Sequence, residues 1–136
     1  MKEYKDARYA ALAERVRERN RIPEGEASFN VLYADYKSRA SKLGVTFDLT
    51  KEQFRALTSQ NCQYCGVEPK QIRNHGKKVY NGHYLHNGID RVDNDRGYTI
   101  DNAVACCGIC NKAKRDLSLK DFEEWIQRLV AFQVSK

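Results

Sequence analysis

Two Cys-x-x-Cys pairs constrain this chain more than any other feature: Cys62 with Cys65, and Cys107 with Cys110. Two intervening residues let a tight turn aim both sulfurs at one ion, and two such pairs make the tetrahedral thiolate set of a structural Zn²⁺. A site with four thiolates keeps no open position, so its work is to staple a fold rather than to catalyse. The fifth cysteine, Cys106, abuts Cys107, points to the opposite face of a strand and reads as a small buried hydrophobe. Between Cys65 and Cys107 lie 41 residues, more than an ordinary zinc ribbon uses, so the insertion has to be folded itself.

The stretch from His86 to Lys114 meets that need. Ile89-Asp90-Arg91-Val92 reads as a strand, a polar turn ends at Gly97-Tyr98, and Asn102-Ala103-Val104-Ala105 reads as a second strand. The second cysteine pair then runs into Asn111 and Lys114, opening a helix. The expected core is a zinc-braced ββα unit. Asp90 stands in an otherwise apolar strand, where a carboxylate is costly unless it is paired or binds a metal. Asn102 and Asn111 offer amide oxygens, hard ligands or orienting groups suited to Mg²⁺ rather than zinc. Other readings stay open: Asp90 as an ion-pair partner of Arg91 or Arg96, and both asparagines as turn or cap residues.

Four segments are expected. Residues 1–25 hold a basic N-terminal helix, with Tyr4, Ala7, Ala11, Leu12 and Val16 on one stripe, ended by Pro23 and Gly25. Residues 26–60 form a helical extension. Its first helix is capped by Ser28, buries Phe29, Leu32, Tyr33, Tyr36, Ala40 and Leu43, and stops at Gly44. A short strand over 45–49 follows, then a helix opened by a Thr50–Gln53 capping box. Residues 61–116 are the ββα core with the Cys₄ site, including a basic loop from Val67 to Gly88. Residues 117–136 form a helix capped by Ser118 and packed through Leu119, Phe122, Trp125, Ile126 and Leu129.

The net charge of +6 is unevenly spread. Residues 1–21 carry seven Lys/Arg against four Asp/Glu, and residues 61–115 carry nine against five. Positive segments of this kind suit a polyanion, since phosphate neutralisation drives sequence-independent binding. The candidate nucleic-acid contacts are Arg73, Lys77, Lys78, Arg96, Lys112 and Lys114. With 41% hydrophobic residues and no apolar run of membrane length, the chain is expected to fold and not to span a bilayer. The basic N-terminus without an apolar h-region points to the cytoplasm, the host's if the chain is phage-encoded.

Taken together, Cys62-x-x-Cys65, Gly88-Ile89-Asp90-Arg91-Val92-Asp93-Asn94, Gly97-Tyr98-Thr99, Asp101-Asn102 and Cys107-x-x-Cys110-Asn111-x-x-Lys114 resemble the HNH nucleases. These are a ββα-metal (His-Me finger) family, and the likeness is strongest to small stand-alone proteins of phages and mobile elements. The resemblance covers about residues 60–116 closely. It implies an α+β fold with a zinc-stapled ββα-metal core and flanking helices, and hydrolysis or nicking of DNA with one divalent ion such as Mg²⁺. By position Asp90 would be the first-strand metal ligand, Asn102 the central orienting asparagine and Asn111 the second ligand. A catalytic ion there would stabilise the pentacovalent phosphate and the leaving oxygen.

One departure matters. Most HNH enzymes follow that Asp with a general-base His, and here the position is Arg91. Arginine keeps its proton and cannot serve as base. Either the base comes from elsewhere, or Arg91 clamps the phosphate while metal-bound water attacks. His86 is the first candidate base. It shares strand parity with Asp90, but four extended residues span roughly 13 Å, so a bulge at Gly88 is needed to bring them together. His75 and His83 are loop residues or phosphate contacts. The competing expectation is a catalytically impaired zinc module that binds DNA or a phage or recombination complex.

Overall fold

The computed structural model describes residues 2–19, 23–73 and 82–136, so Lys77, Lys78 and His75 lie outside the described residues. In chain order the elements are α1 (Lys2–Arg19), α2 (Glu26–Leu43), β1 (Phe47–Asp48), α3 (Lys51–Thr58), β2 (Gln71–Arg73) and β3 (Tyr84–His86). These are followed by β4 (Gly88–Arg91), β5 (Tyr98–Thr99), β6 (Ala103–Cys106), α4 (Gly108–Lys114) and α5 (Leu119–Ser135). The protein is α+β. Its strands pair in three small two-stranded sheets: β1 with β5 in parallel, β2 with β3 and β4 with β6 antiparallel.

Local chemistry accounts for most helix ends. Gly44 closes α2 in the left-handed region, φ 71°, which glycine enters without a Cβ penalty. The α3 capping box is complete: Gln53 N donates to Thr50 Oγ1 at 3.1 Å, and Thr50 N donates to Gln53 Oε1 at 3.0 Å. Ser118 caps α5 by accepting from Asp121 N at 3.1 Å. Ser28 is a correction. The residue ahead of α2 is Gly25, and Ser28 is buried inside the helix, its hydroxyl donating to the Gly82 carbonyl.

One hydrophobic core draws Phe29, Leu32, Tyr36 and Ala40 from α2, Leu49, and Phe54 and Leu57 from α3. Against them pack Tyr84, Ile89, Tyr98 and Ala103 of the strands. The rings of Phe29, Tyr33, Tyr36, Phe47, Phe54 and Tyr98 meet mostly edge to face, at centroid distances of 5.3–6.5 Å. Each such pair adds about 0.5–1.5 kcal/mol beyond area burial. Two hydroxyls also tie α2 to strands and loops. Tyr36 Oη accepts from Ile89 N at 3.1 Å, and Tyr33 Oη donates to Leu49 O at 2.7 Å. The helices before the cysteine unit thus brace its first strand directly.

The second half of α5 packs less than its apolar stripe suggests, and the charge-rich α1 is a solvated helix. Tyr9, Leu12 and Val16 of α1 are exposed, and so are Leu129, Val130, Phe132 and Val134 in the second half of α5. Phe122 is fully packed, edge-on to Tyr64 and stacked on Trp125. Among the described residues no helix is long and apolar enough to cross a membrane.

Candidate functional site

The two knuckles fold as tight turns locked to the hairpin. In the first, Gly66 N donates to Cys62 O and Cys62 N to Val67 O, both at 2.9 Å, while Gln63 N donates to Ala105 O of β6 at 2.8 Å. In the second, Cys107 caps α4, its Sγ accepting from Cys110 N. The four sulfurs all lie within 4.8 Å of one another, and Cys65 Sγ is 3.7 Å from Cys107 Sγ. Four thiolates about 2.3 Å from one ion stand at just such separations, so these cysteines are positioned to bind one metal ion. At Cys62, burial opposes ionisation, but hydrogen bonds from the backbone of Cys107, Cys65 and Tyr64 prevail and bring the thiol down to about 6. Burial and the neighbouring thiols push Cys110 the other way. Cys106 is buried outside this cluster, as a hydrophobe should be.

Asp90 sits on β4 beneath α4 and is almost wholly buried. Tyr64 Oη, from the first knuckle, donates to its Oδ2 at 2.6 Å. Lys114, completely buried, places Nζ 3.2 Å from that oxygen and 3.4 Å from Oδ1, and also donates to Arg91 O at 3.3 Å. Burial and then the carboxylate's hydrogen bond and charge hold the Tyr64 proton firmly in place. The ion pair expected between Asp90 and Arg91 or Arg96 is therefore made with Lys114. This also corrects the expectation that Lys114 contacts nucleic acid, because its ammonium is inside the protein. A divalent ion on Asp90 fits the oxygen chemistry but has to displace that ammonium, so the two do not fit together as arranged.

Asn102, also buried, organises the turn between β4 and β6. Its Oδ1 accepts from Asp93 N at 2.9 Å, and its Nδ2 donates to Gly97 O at 2.9 Å and Asp93 O at 3.1 Å. Arg91 works on the same turn: Nη1 donates to Asn94 O at 2.7 Å and Arg96 O at 2.9 Å, with the guanidinium 5.5 Å from the Tyr98 ring centroid. Arg96 is exposed and its Nη2 donates to Asp101 at 2.6 Å.

His86 and Asn111 share a groove that Asp90 does not line. At Asn87 the chain leaves the β2–β3 pair and joins β6, and no bulge returns His86 to Asp90. Instead His86 and Asn111 line one groove of about 480 Å³ between α2, β2–β3 and α4, which Asp90 does not line. Asn111 is fixed by its position after Cys110, its N–H donating to Cys107 O at 2.9 Å. His86 is buried, stacked parallel to Tyr84 at 5.9 Å, and its Nδ1 lies 3.0 Å from Asn87 O. A carbonyl partner requires the proton on Nδ1, leaving the Nε2 lone pair available. Burial, only partly offset by that bond and reinforced by the charge of Arg73, lowers the pKa and keeps the ring neutral at pH 7.

Arg73 and Lys112, both expected to meet nucleic acid, line this groove. Two cations there were not foreseen, Arg39 of α2 and Arg115 at the end of α4. Arg115 was legible as the last residue of the Lys112-x-Lys114-Arg115 run, whereas Arg39 lies in the segment 22–60, whose charges balance and gave no signal.

No protein-family model matches the chain. A 90-residue stretch is 38% identical to the uncharacterized protein R423 of Acanthamoeba polyphaga mimivirus, covering 66% of this chain. The stretch spans only 14% of that much longer viral protein. Among solved structures, the rare-cutting HNH restriction endonuclease PacI superposes with a TM-score of 0.52 at 24% identity, over 72% of this chain and 73% of that one. The fold is HNH-like. At that identity the likeness is one of architecture, and the cysteine cluster is a separate observation of this chain.

Proposed function

We propose that this chain is a metal-dependent HNH-type DNA endonuclease that hydrolyses or nicks phosphodiester bonds. The observation that carries the reading is His86 and Asn111 lining one groove with cations, and no carboxylate among its described lining residues, in an HNH-like fold. In this reading His86 Nε2 takes the proton of the attacking water, supplying the base that Arg91 cannot. Arg91 and Asn102 hold the β4–β6 turn. Asn111 is the proposed groove ligand of a divalent ion such as Mg²⁺; Asp90, expected beside it, is paired with Lys114 and does not line the groove. When bound, that ion supplies positive charge to the phosphate and the leaving oxygen. Zn²⁺ is proposed for the four cysteines, as a staple. The viral likeness supports a virus- or mobile-element source, with partner proteins from the same source.

A second reading has a specific observation behind it. Asp90 is closed off by Lys114, and Arg91 is engaged by turn carbonyls, as suits a DNA-binding zinc module without chemistry. Incubating supercoiled plasmid with the zinc-loaded protein and Mg²⁺, Mn²⁺, Ni²⁺ or Zn²⁺, with a chelator control, separates the two. Nicked or linear product in any metal lane supports the nuclease; intact plasmid in every lane supports the module.

A further inference from the structure

We infer that the groove between α2 and α4 is a DNA-backbone site in which Arg39 and Arg115 hold phosphates on either side of His86; this rests on the nuclease reading and assigns its substrate contacts. Arg39, Arg73, Lys112 and Arg115 line the groove, with no Asp or Glu among the described lining residues. Arg73 is already paired with Asp35, but the charges of Arg39, Lys112 and Arg115 repel one another until an anion enters, and such a concavity concentrates anions.

Two further observations point to a missing ligand. Among the described residues the buried Nε–H of Arg73 has no hydrogen-bond partner, although its Nη2 meets Asp35 at 2.5 Å from outside the groove. A buried unpaired donor is rare and calls for an acceptor. Arg115 has φ 49° and ψ −121°, the one positive-φ residue other than glycine among the described residues. Its N–H donates to Asn111 O at 3.0 Å, and Leu117 N donates to Lys114 O at 2.9 Å, so the chain is fixed on both sides of the strained residue. Glycine would sit there without strain. Arginine sits there under backbone strain, at a position that lines the groove.

Arg39 is held from the opposite wall. Its guanidinium lies 4.5 Å from the ring centroid of Tyr36, and that ring is itself buried, with its hydroxyl tied to Ile89 N of β4. The helix α2 therefore serves two ends: it braces the strand that leads from His86, and it presents a cation across the groove from α4. A phosphodiester backbone fits this arrangement because cationic residues line both walls and can pair with successive phosphates.

The test is fluorescence anisotropy of a labelled DNA duplex with the zinc-loaded protein, without added divalent ion, across a salt series. The variants are Arg39→Ala and Arg115→Gly, the latter removing the side chain while relieving the backbone strain, with Arg128→Ala on α5 as control. Each groove variant is expected to weaken binding several-fold (about one phosphate contact each) and to lower the salt slope by roughly 1, with the control unchanged. Wild-type affinity and slope in both groove variants would overturn the assignment, as would a wild type that does not bind the duplex. Weakened variants of a wild type that never cuts plasmid leave the groove standing and remove the nuclease reading. A cutting wild type whose groove variants bind normally does the reverse.

Discussion

Lys114 Nζ lies 3.2 Å from Asp90 Oδ2, and neither side chain is in meaningful contact with solvent. The pair joins α4 to β4, and Tyr64 of the first knuckle closes the remaining side of the carboxylate. The charged centre of the unit is thus coupled to both cysteine turns, since α4 starts at Cys107 and Tyr64 sits between Cys62 and Cys65. Removing one member of a buried pair strands the other charge, which costs about 3–5 kcal/mol. Asp90→Ala and Lys114→Met are each expected to lower unfolding stability by about that much. Asp90→Asn combined with Lys114→Met should recover part of it. Urea denaturation reads this directly, and single variants as stable as wild type would refute the pairing.

Metal removal should unfold the cysteine unit. The knuckles lie at the ends of short elements with little apolar packing of their own, and a bound ion contributes folding free energy outright. Cys107→Ser should yield a poorly folded or insoluble protein, since it removes a thiolate ligand even though the serine hydroxyl can still cap α4. Elemental analysis of wild type should find about one zinc per chain. A well-folded wild type that contains no metal would contradict this.

Gly97 should tolerate no side chain. A Cβ there would stand 2.2 Å from Thr46 O and 2.7 Å from Thr46 N, where Tyr98 N donates to Thr46 O at 2.8 Å. The neighbour is backbone and cannot swing aside, so β1–β5 pairing has to break. Gly97→Ala should cost at least about 1–3 kcal/mol, measured by thermal or urea unfolding. The same change at Gly44, an αL cap with open space around it, should act only through backbone strain.

Much of the fold was legible because its signals are local. The Thr50–Gln53 box, the Gly44 stop, the Ser118 cap, the knuckles and the Asn102-led strand each lie within a few residues of what they determine. Ser28 misled because a capping residue type near a helix start says nothing of a tertiary acceptor such as Gly82 O. The site was less legible. Asp90 was recognisably in need of a partner, but choosing Lys114 over its neighbours Arg91 and Arg96 depends on how α4 lies across β4. Likewise the groove that His86 shares with Asn111 depends on the change of partner strand at Asn87, which no periodicity records. Arg39 reaches the groove only through the packing of α2 on the core.

Acid should weaken the fold through His86. Burial holds its folded pKa below the ordinary 6.5, so the unfolded chain binds the extra proton more readily. The contribution is fully present above pH 6.5 and is lost as pH falls through the folded pKa. His86→Gln should therefore lose less stability than wild type between pH 7.5 and pH 5. Equal losses in urea unfolding at the two pH values would show that His86 is not held neutral by the fold.

The most direct test of the nuclease account is single-turnover nicking of supercoiled plasmid by wild type and by His86→Ala, with DNA affinity measured alongside. General-base catalysis contributes typically about 10²–10⁴-fold. The account predicts that wild type nicks in the presence of a divalent ion, and that His86→Ala loses about two to four orders of magnitude in rate while binding DNA and retaining its zinc as wild type does. His86→Ala cutting at the wild-type rate, or a wild type that cuts with no metal offered, would contradict it.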